Sequence, residues 1–458
     1  MPIKTAIFVA AFFACCVGAI FMPLLGVLGY VGHYIIGPDR QWWETPISNW
    51  GLRYSYTLAI ATAIGIALNW RKLRFGETFL VRHEWLILLF LGSVWLATLV
   101  SEETSGRYTI VDHPSVKMTK VVFFTLMMTH VVTTRKRLDA LLWTLVVGSF
   151  LLGLQAYTTP YRQFTSGRLE TVGGPDFNEA NYLGAFCVAM LPIIGMQFFR
   201  SGWVGKGVAL VAGAFTANAI VLTRSRGATV GVVAGVVTAA LAAPKRYRVP
   251  ILAGLIVAVA GFLYLSDPQF LNRASTILAE EEERDTSAQS RIELVMVGKQ
   301  MLLDHPFGIG AGNWYQTIER YLPKYPGKDA HNTYLKCACE LGIQGIALFA
   351  AVIVNAFVIL RRLRRQAEDL PPPLRREAQM LSFGLTTSLV AYLACCLTMT
   401  LLYNEALWWL LALPICLERA MANLEGELAI GSVHVRGTAS SDATVLPARG
   451  RKPCRMKS

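Results

Sequence analysis

The stretch Leu222-Thr223-Arg224-Ser225-Arg226-Gly227-Ala228 sets two guanidinium groups between two apolar runs with almost no loop to carry them. Arginine at membrane depth is rare unless it faces a cavity or a partner, so the pair points to a bound anion; the competing reading is that both side chains snorkel outward to the headgroups. A second cation stands in Asp285-Thr286-Ser287-Ala288-Gln289-Ser290-Arg291. Asp285 or Ser287 can cap a helix there, which puts Arg291 on its first turns, although an arginine in such a loop is also an ordinary surface residue. The third candidate is His331 in Ala330-His331-Asn332-Thr333-Tyr334-Leu335, ahead of Glu340-Leu341-Gly342-Ile343-Gln344-Gly345. Imidazole titrates near neutrality and can take a proton from a hydroxyl, but a histidine at a helix start also serves as a cap or a core residue.

Other stretches are less specific. Phe307-Gly308-Ile309-Gly310-Ala311-Gly312-Asn313-Trp314 has the wrong spacing for a nucleotide-binding loop and no βαβ unit around it, so it reads as a tight turn. Trp314, Tyr315, Tyr321 and Tyr325 beside it suit sugar platforms or simple packing. Asp176, Asn178 and Asn181, in a polar turn that follows Gly173-Gly174-Pro175, can cap the next helix or contact glycan. The run Glu280 to Glu283 reads as a solvated turn, and no metal site is expected.

What must position these residues follows from composition. With 54% hydrophobic and 16% charged residues among 458, and a mean hydropathy of +0.43, the chain has too little polar surface for a soluble fold. Its apolar runs have the length of membrane-crossing helices, and backbone satisfaction in lipid demands helices. One long or two short segments fall within 5–37. Others lie near 54–69, 84–101, 118–134, 138–157, 180–199, 207–223, 227–243, 249–265, 333–360, 379–400 and 403–417, about twelve in all. Pro23, Gly26 and Gly29 are the residues able to break the first run.

Lysine and arginine outnumber aspartate and glutamate by 43 to 30, but the surplus sits in short clusters between apolar runs. These are Arg71, Lys72 and Arg74; Arg135, Lys136 and Arg137; Lys245, Arg246 and Arg248; and the arginines from Arg361 to Arg376. That is the positive-inside pattern of a membrane protein, not a nucleic-acid surface, and it makes these loops cytoplasmic. The segments 38–53, 102–117, 158–179 and 266–332 then lie outside. The chain divides into a membrane bundle over 1–265, a partly helical periplasmic cap over 266–332, membrane helices over 333–418 and a disordered cytoplasmic tail over 419–458. The nine cysteines sit mostly inside apolar runs and lack metal-site spacing, so they read as packing residues. No cleavable signal peptide is expected, because the apolar N-terminus runs on into more apolar sequence.

Over roughly residues 160–360 the chain resembles the O-antigen ligase and polymerase superfamily of bacterial membrane glycosyltransferases. Ser225-Arg226-Gly227-Ala228 is similar to that family's arginine-bearing turn, and Asp304-His305-Pro306-Phe307-Gly308-Ile309-Gly310 with Gly312-Asn313-Trp314 to its cap motif. His331-Asn332 followed by Gly342 and Gly345 matches its most diagnostic pattern. The resemblance implies an all-α polytopic fold similar to GT-C-type enzymes, in the bacterial inner membrane with its site facing the periplasm. It further implies an undecaprenyl-pyrophosphate-linked glycan as donor and a cofactor-free, metal-independent, inverting transfer to a hydroxyl of lipid A core, a growing glycan or protein. In that scheme Arg226 and Arg291 bind the pyrophosphate and His331 is the base, with Arg224, Arg168, Arg162, Asn332, Trp314 and Tyr315 as further substrate contacts. Ligase, polymerase and protein O-oligosaccharyltransferase stay open within the family. A transporter or lipid flippase is the alternative from another class, though it calls for paired midplane helix breaks that the sequence does not show.

Overall fold

The computed structural model describes residues 2–73, 79–101, 108–165, 167–265 and 286–441; the side chains of 262, 265, 286–291 and 425–441 are also outside the description. Among the described residues the chain forms helices and turns and no strand, with one antiparallel bridge between Thr165 and Arg168. The α-helices are α1 Ile3–Phe21, α2 Pro23–Ile36, α3 Tyr54–Leu68, α4 Arg82–Val100, α5 Pro114–Val131, α6 Arg135–Thr158, α7 Ala180–Arg200, α8 Trp203–Thr223, α9 Arg226–Ala242, α10 Arg248–Leu265, α11 Thr286–Asp304, α12 Trp314–Tyr321, α13 Thr333–Gln366, α14 Pro372–Cys395 and α15 Glu405–Ser441.

The first apolar run is two helices. Met22 leaves the helical region at φ −136°, and Pro23, which has no N–H to give to the preceding turn, starts the second helix. α2 folds back on α1, so that Gly18 faces Leu25 and Gly29 faces Cys15. The α3 helix closes this trio, held at one end by Asn69 Nδ2 donating to Ile20 O (2.8 Å). α7 packs against α8, α9 and α14 in the centre, while α4, α5, α13 and α15 form the remaining side.

Among the described residues eight helices, α1, α4, α6, α7, α8, α13, α14 and the first 20 residues of α15, are long and apolar enough to cross a membrane. A ninth is counted if α9 and α10, which meet at a bend of 112°, make one broken span. This is fewer than the dozen expected from apolar runs. The difference lies in α2 and α3, of 14 and 15 residues, in the bent pair, and in α5, which carries Lys117 and Lys120. Large apolar side chains such as Leu99, Leu210, Val237, Leu241, Val354 and Val358 are exposed around the bundle, a surface that suits hydrocarbon and not water.

The helix ends sort the charges. Arg71, Lys72, Arg135, Arg200, Lys245, Arg361 and Arg376 lie at one end of the bundle, where Arg200 bridges Asp139 (2.8 Å) and Glu377 (2.6 Å) and ties α6, α7 and α14 together. Arg419 makes two bonds to the fully buried Glu84, at 2.9 and 2.8 Å, joining α15 to α4. The opposite end holds the starts of α7, α9, α13 and α15 and every described candidate for chemistry. Glu280 to Glu283, the basic residues from Arg449 to Lys457 and Arg74 lie outside the described residues. α15 runs from Glu405 through Ser441.

Candidate active site

The α8–α9 turn is as short as the sequence suggests. Arg224 occupies the left-handed region (φ 46°), and Ser225 caps α9 by accepting from Ala228 N at 3.3 Å. The buried Arg224 donates to Gly167 O and lies 5.9 Å from the Tyr161 ring. Arg168 reaches the same turn from the other side, with Nε donating to Thr223 O (3.1 Å) and Nη2 to Asn181 Oδ1 (2.8 Å), an oxygen that also accepts from Ser225 Oγ (2.8 Å). Arg224 and Arg168 therefore fasten the 167–169 segment and the start of α7 to the turn. Arg226, the first residue of α9, is half-buried, and Arg162 is exposed on the turn Tyr161–Gln163.

The second part of the site is built around Asp329, which sequence reasoning did not single out. Its Oδ1 accepts from Tyr315 Oη (2.9 Å) and pairs with Lys336 Nζ (3.2 Å); its Oδ2 accepts from Thr400 Oγ1 and from the backbone N–H of His331 (3.2 Å). Burial alone would raise this carboxyl, but Lys336, Thr400, His331 and Tyr315 together hold it well below the usual carboxylate range. His331 is in the left-handed region (φ 46°), with Nδ1 3.9 Å from Asp329 Oδ2. Asn332 caps α13: its Oδ1 accepts from the N–H groups of Tyr334 and Leu335, both at 3.0 Å.

The glycine-bearing loop docks on a break in α13. Gly342 sits at φ 71°, ψ −172° inside the helix, which frees two carbonyls for the loop. Cys339 O accepts from Ile309 N (2.9 Å) and Glu340 O from Gly310 N (3.0 Å), while Pro306 O accepts from Ile343 N (2.9 Å). Gly308, Gly310 and Gly312 all have positive φ, and a Cβ on Gly308 would lie 2.5 Å from Glu340 O. Trp314 is fully buried, donating from Nε1 to Lys328 O (2.9 Å), so of its two readings packing is the one its position favours. Tyr315 keeps one face against Lys336, whose ammonium is 4.5 Å from the ring centroid. Tyr321 donates to Asp304 (2.8 Å), and Tyr325 lies under Lys328 (4.5 Å).

The two halves meet at the α14–α15 turn. Gly227, next to Arg226, packs so tightly against Thr398 that a Cβ would lie 2.3 Å from its Oγ1. Two residues on, Thr400 reaches Asp329. Thr333 fixes the same turn to the start of α13, with its N–H on Cys396 O (2.8 Å) and its hydroxyl on Met399 O (2.6 Å). Glu179, before α7, feels both halves: desolvation, then Asp329 and Glu170, push its carboxyl up against the pull of Arg168 and Lys336. Asp176 is buried, pairs with Lys117 (2.5 Å), accepts from Tyr34 Oη (3.0 Å), and caps α15 through Glu405 N (3.1 Å). Arg291 lies on the second turn of α11, and its side chain is outside the described residues.

The site thus offers a partly buried guanidinium at a helix start and an imidazole backed by a carboxylate, on a face reached by several tyrosines. Among the described residues no group of three or more His, Cys, Asp or Glu is placed to hold a metal ion. Residues 208–350 match the family described as O-antigen ligase. That span takes in the Arg224–Arg226 turn, the glycine-bearing loop, Asp329, His331 and the break at Gly342. No curated protein matches the chain.

Proposed function

From the match that places the chain in the O-antigen ligase/polymerase superfamily, we propose that it is a ligase-type glycosyltransferase. It moves a glycan from undecaprenyl pyrophosphate to an acceptor hydroxyl at the outer face of the bacterial inner membrane. The observation that carries this reading is the α14–α15 turn, which holds the Arg226 turn by Thr398 and the Asp329–His331 loop by Thr400. The Arg226 turn and the Asp329–His331 loop are themselves more than a hundred residues apart in the chain.

Arg226, with Arg291, binds the donor pyrophosphate, where a planar, permanently charged fork suits both the bound diphosphate and the charge that develops as it leaves. His331 accepts the proton of the acceptor hydroxyl. The acceptor oxygen forms a bond to the anomeric carbon as the bond from that carbon to phosphate oxygen breaks, and the electron pair leaves with undecaprenyl pyrophosphate. Attack opposite the leaving group inverts the anomeric centre. In this reading α2, α3, α5, α9 and α10 also cross the bilayer. With α1 and α2 as separate crossings, the N-terminus lies on the same side as His331.

The test is purified protein with polyprenyl-pyrophosphate-linked glycan and EDTA, offered lipid A core, no added acceptor, or a Ser/Thr-rich protein. Glycan on lipid A core is the expected result. Lengthening of the lipid-linked glycan identifies a polymerase, and protein modification an O-oligosaccharyltransferase. Intact donor in every arm moves the reading to a transporter or flippase.

A further inference from the structure

We propose that Asp329 is the positioning residue for His331, holding the imidazole with Nδ1–H toward its carboxylate so that the Nε2 lone pair faces the acceptor hydroxyl; this rests on the reading of His331 as proton acceptor. The carboxylate is clamped from separate parts of the chain. Tyr315 comes from α12, Lys336 from α13 and Thr400 from the α14–α15 turn, and the fourth bond is the N–H of His331 itself. The N–H that Asp329 grips belongs to a residue whose backbone is left-handed, and the same Oδ2 stands 3.9 Å from Nδ1. That separation exceeds a hydrogen bond, and a small ring rotation on substrate binding closes it, as catalytic contacts commonly tighten in the complex.

The electrostatics fit a carboxylate that stays ionised while the imidazole changes charge. Lys336 from α13 and Tyr315 from α12 face Asp329 directly, and Glu179 at the start of α7 and Tyr182 on α7 lie within its field. When the acceptor proton moves to Nε2, the imidazolium forms beside an anion already held by Lys336. The proton then passes to water after product leaves, and Asp329 keeps its charge throughout. A merely structural Asp329 would hold the loop equally well without caring which ring nitrogen carries the proton.

That difference sets the experiment. Full-length protein labelled with 15N-histidine in nanodiscs is compared with His331→Gln to identify the His331 ring signals. Above the ring's titration the Nδ1–H tautomer is expected, and the Nε2–H tautomer overturns the proposal. In the transfer assay Asp329→Asn is expected to lose about tenfold or more in kcat, with the acid limb of its pH profile moved to lower pH, because loss of the anion disfavours imidazolium. Asp329→Glu restores part of both. An Asp329→Asn protein that transfers at the wild-type rate with an unmoved acid limb overturns the proposal. The tautomer is read on wild-type protein without substrate, so it decides even where Asp329→Asn does not fold. Absence of transfer by wild type counts against the glycosyltransferase reading alone.

Discussion

At the scale of single residues, Arg226 and His331 carry the proposed chemistry, while several of their neighbours serve the fold. His331→Ala and Arg226→Ala are expected to lower transfer by about a hundredfold or more while leaving membrane insertion intact. Arg226→Lys recovers only part, since an ammonium cannot reproduce the two-pronged geometry; transfer assays on protein matched for membrane content check all three. Asn332→Ala removes both cap bonds to Tyr334 and Leu335 and is expected to destabilise by about 1 kcal/mol, seen as a lower melting temperature in detergent. Arg224 and Arg226 stood out in the sequence because they are charged groups set between two apolar runs, and His331 because it stands at the start of a helix after a long polar stretch. Asp329 was not: its role depends on Thr400, 71 positions away, and on Lys336, which in the sequence is one lysine in a helix. Asn332 and Trp314 stood out by type; in the fold the first caps α13 and the second is buried.

Elements explain why the glycines matter. The conformation of Gly342 is open in practice to glycine alone, and an added Cβ would lie 2.4 Å from the Phe307 carbonyl carbon. Gly342→Ala should destabilise by about 1–3 kcal/mol from the backbone alone, with a further loss from the clash, and should loosen the loop carrying Trp314. Thermal melting, with limited proteolysis between α11 and α12, measures both. On the opposite end of the bundle, Arg419→Ala leaves Glu84 buried and without its charged partner, a change expected to destabilise by about 3–5 kcal/mol in a detergent denaturation series. The glycine run was recognisable as a turn from spacing alone. Gly342 belonged to a pattern already noted, but that it breaks the helix was hidden, because only the docked loop shows what the break is for.

For the whole molecule, the sequence carried the architecture better than the count. Alternating basic clusters located one end of the bundle, and the structure gathers them there. Hydropathy could not say which apolar runs would be short or bent, since α2 and α3 rely on neighbours to complete their burial. The ambiguity at the N-terminus is resolved by Pro23 as a break, leaving Lys4 over Trp42 and Thr5 bonded to Trp43 O. A single cysteine placed at Lys4 should therefore react with the same impermeant reagent, from the same side, as one placed at Arg162. One placed at Arg246 should react from the other side. Labelling of intact spheroplasts and inverted vesicles checks this, and reaction of position 4 from the Arg246 side would refute the two-crossing hairpin.

The positive φ of His331 has a consequence for how such a chain can change. Folding would favour glycine there, because most other side chains give up about 1–2 kcal/mol to enter the left-handed region. His331→Gly is therefore expected to melt higher than His331→Ala by about 1 kcal/mol, although both lack the imidazole. A search for sturdier variants that scores only stability would drift toward glycine at this position and discard the proton acceptor, so selection on heat resistance must be paired with selection on transfer.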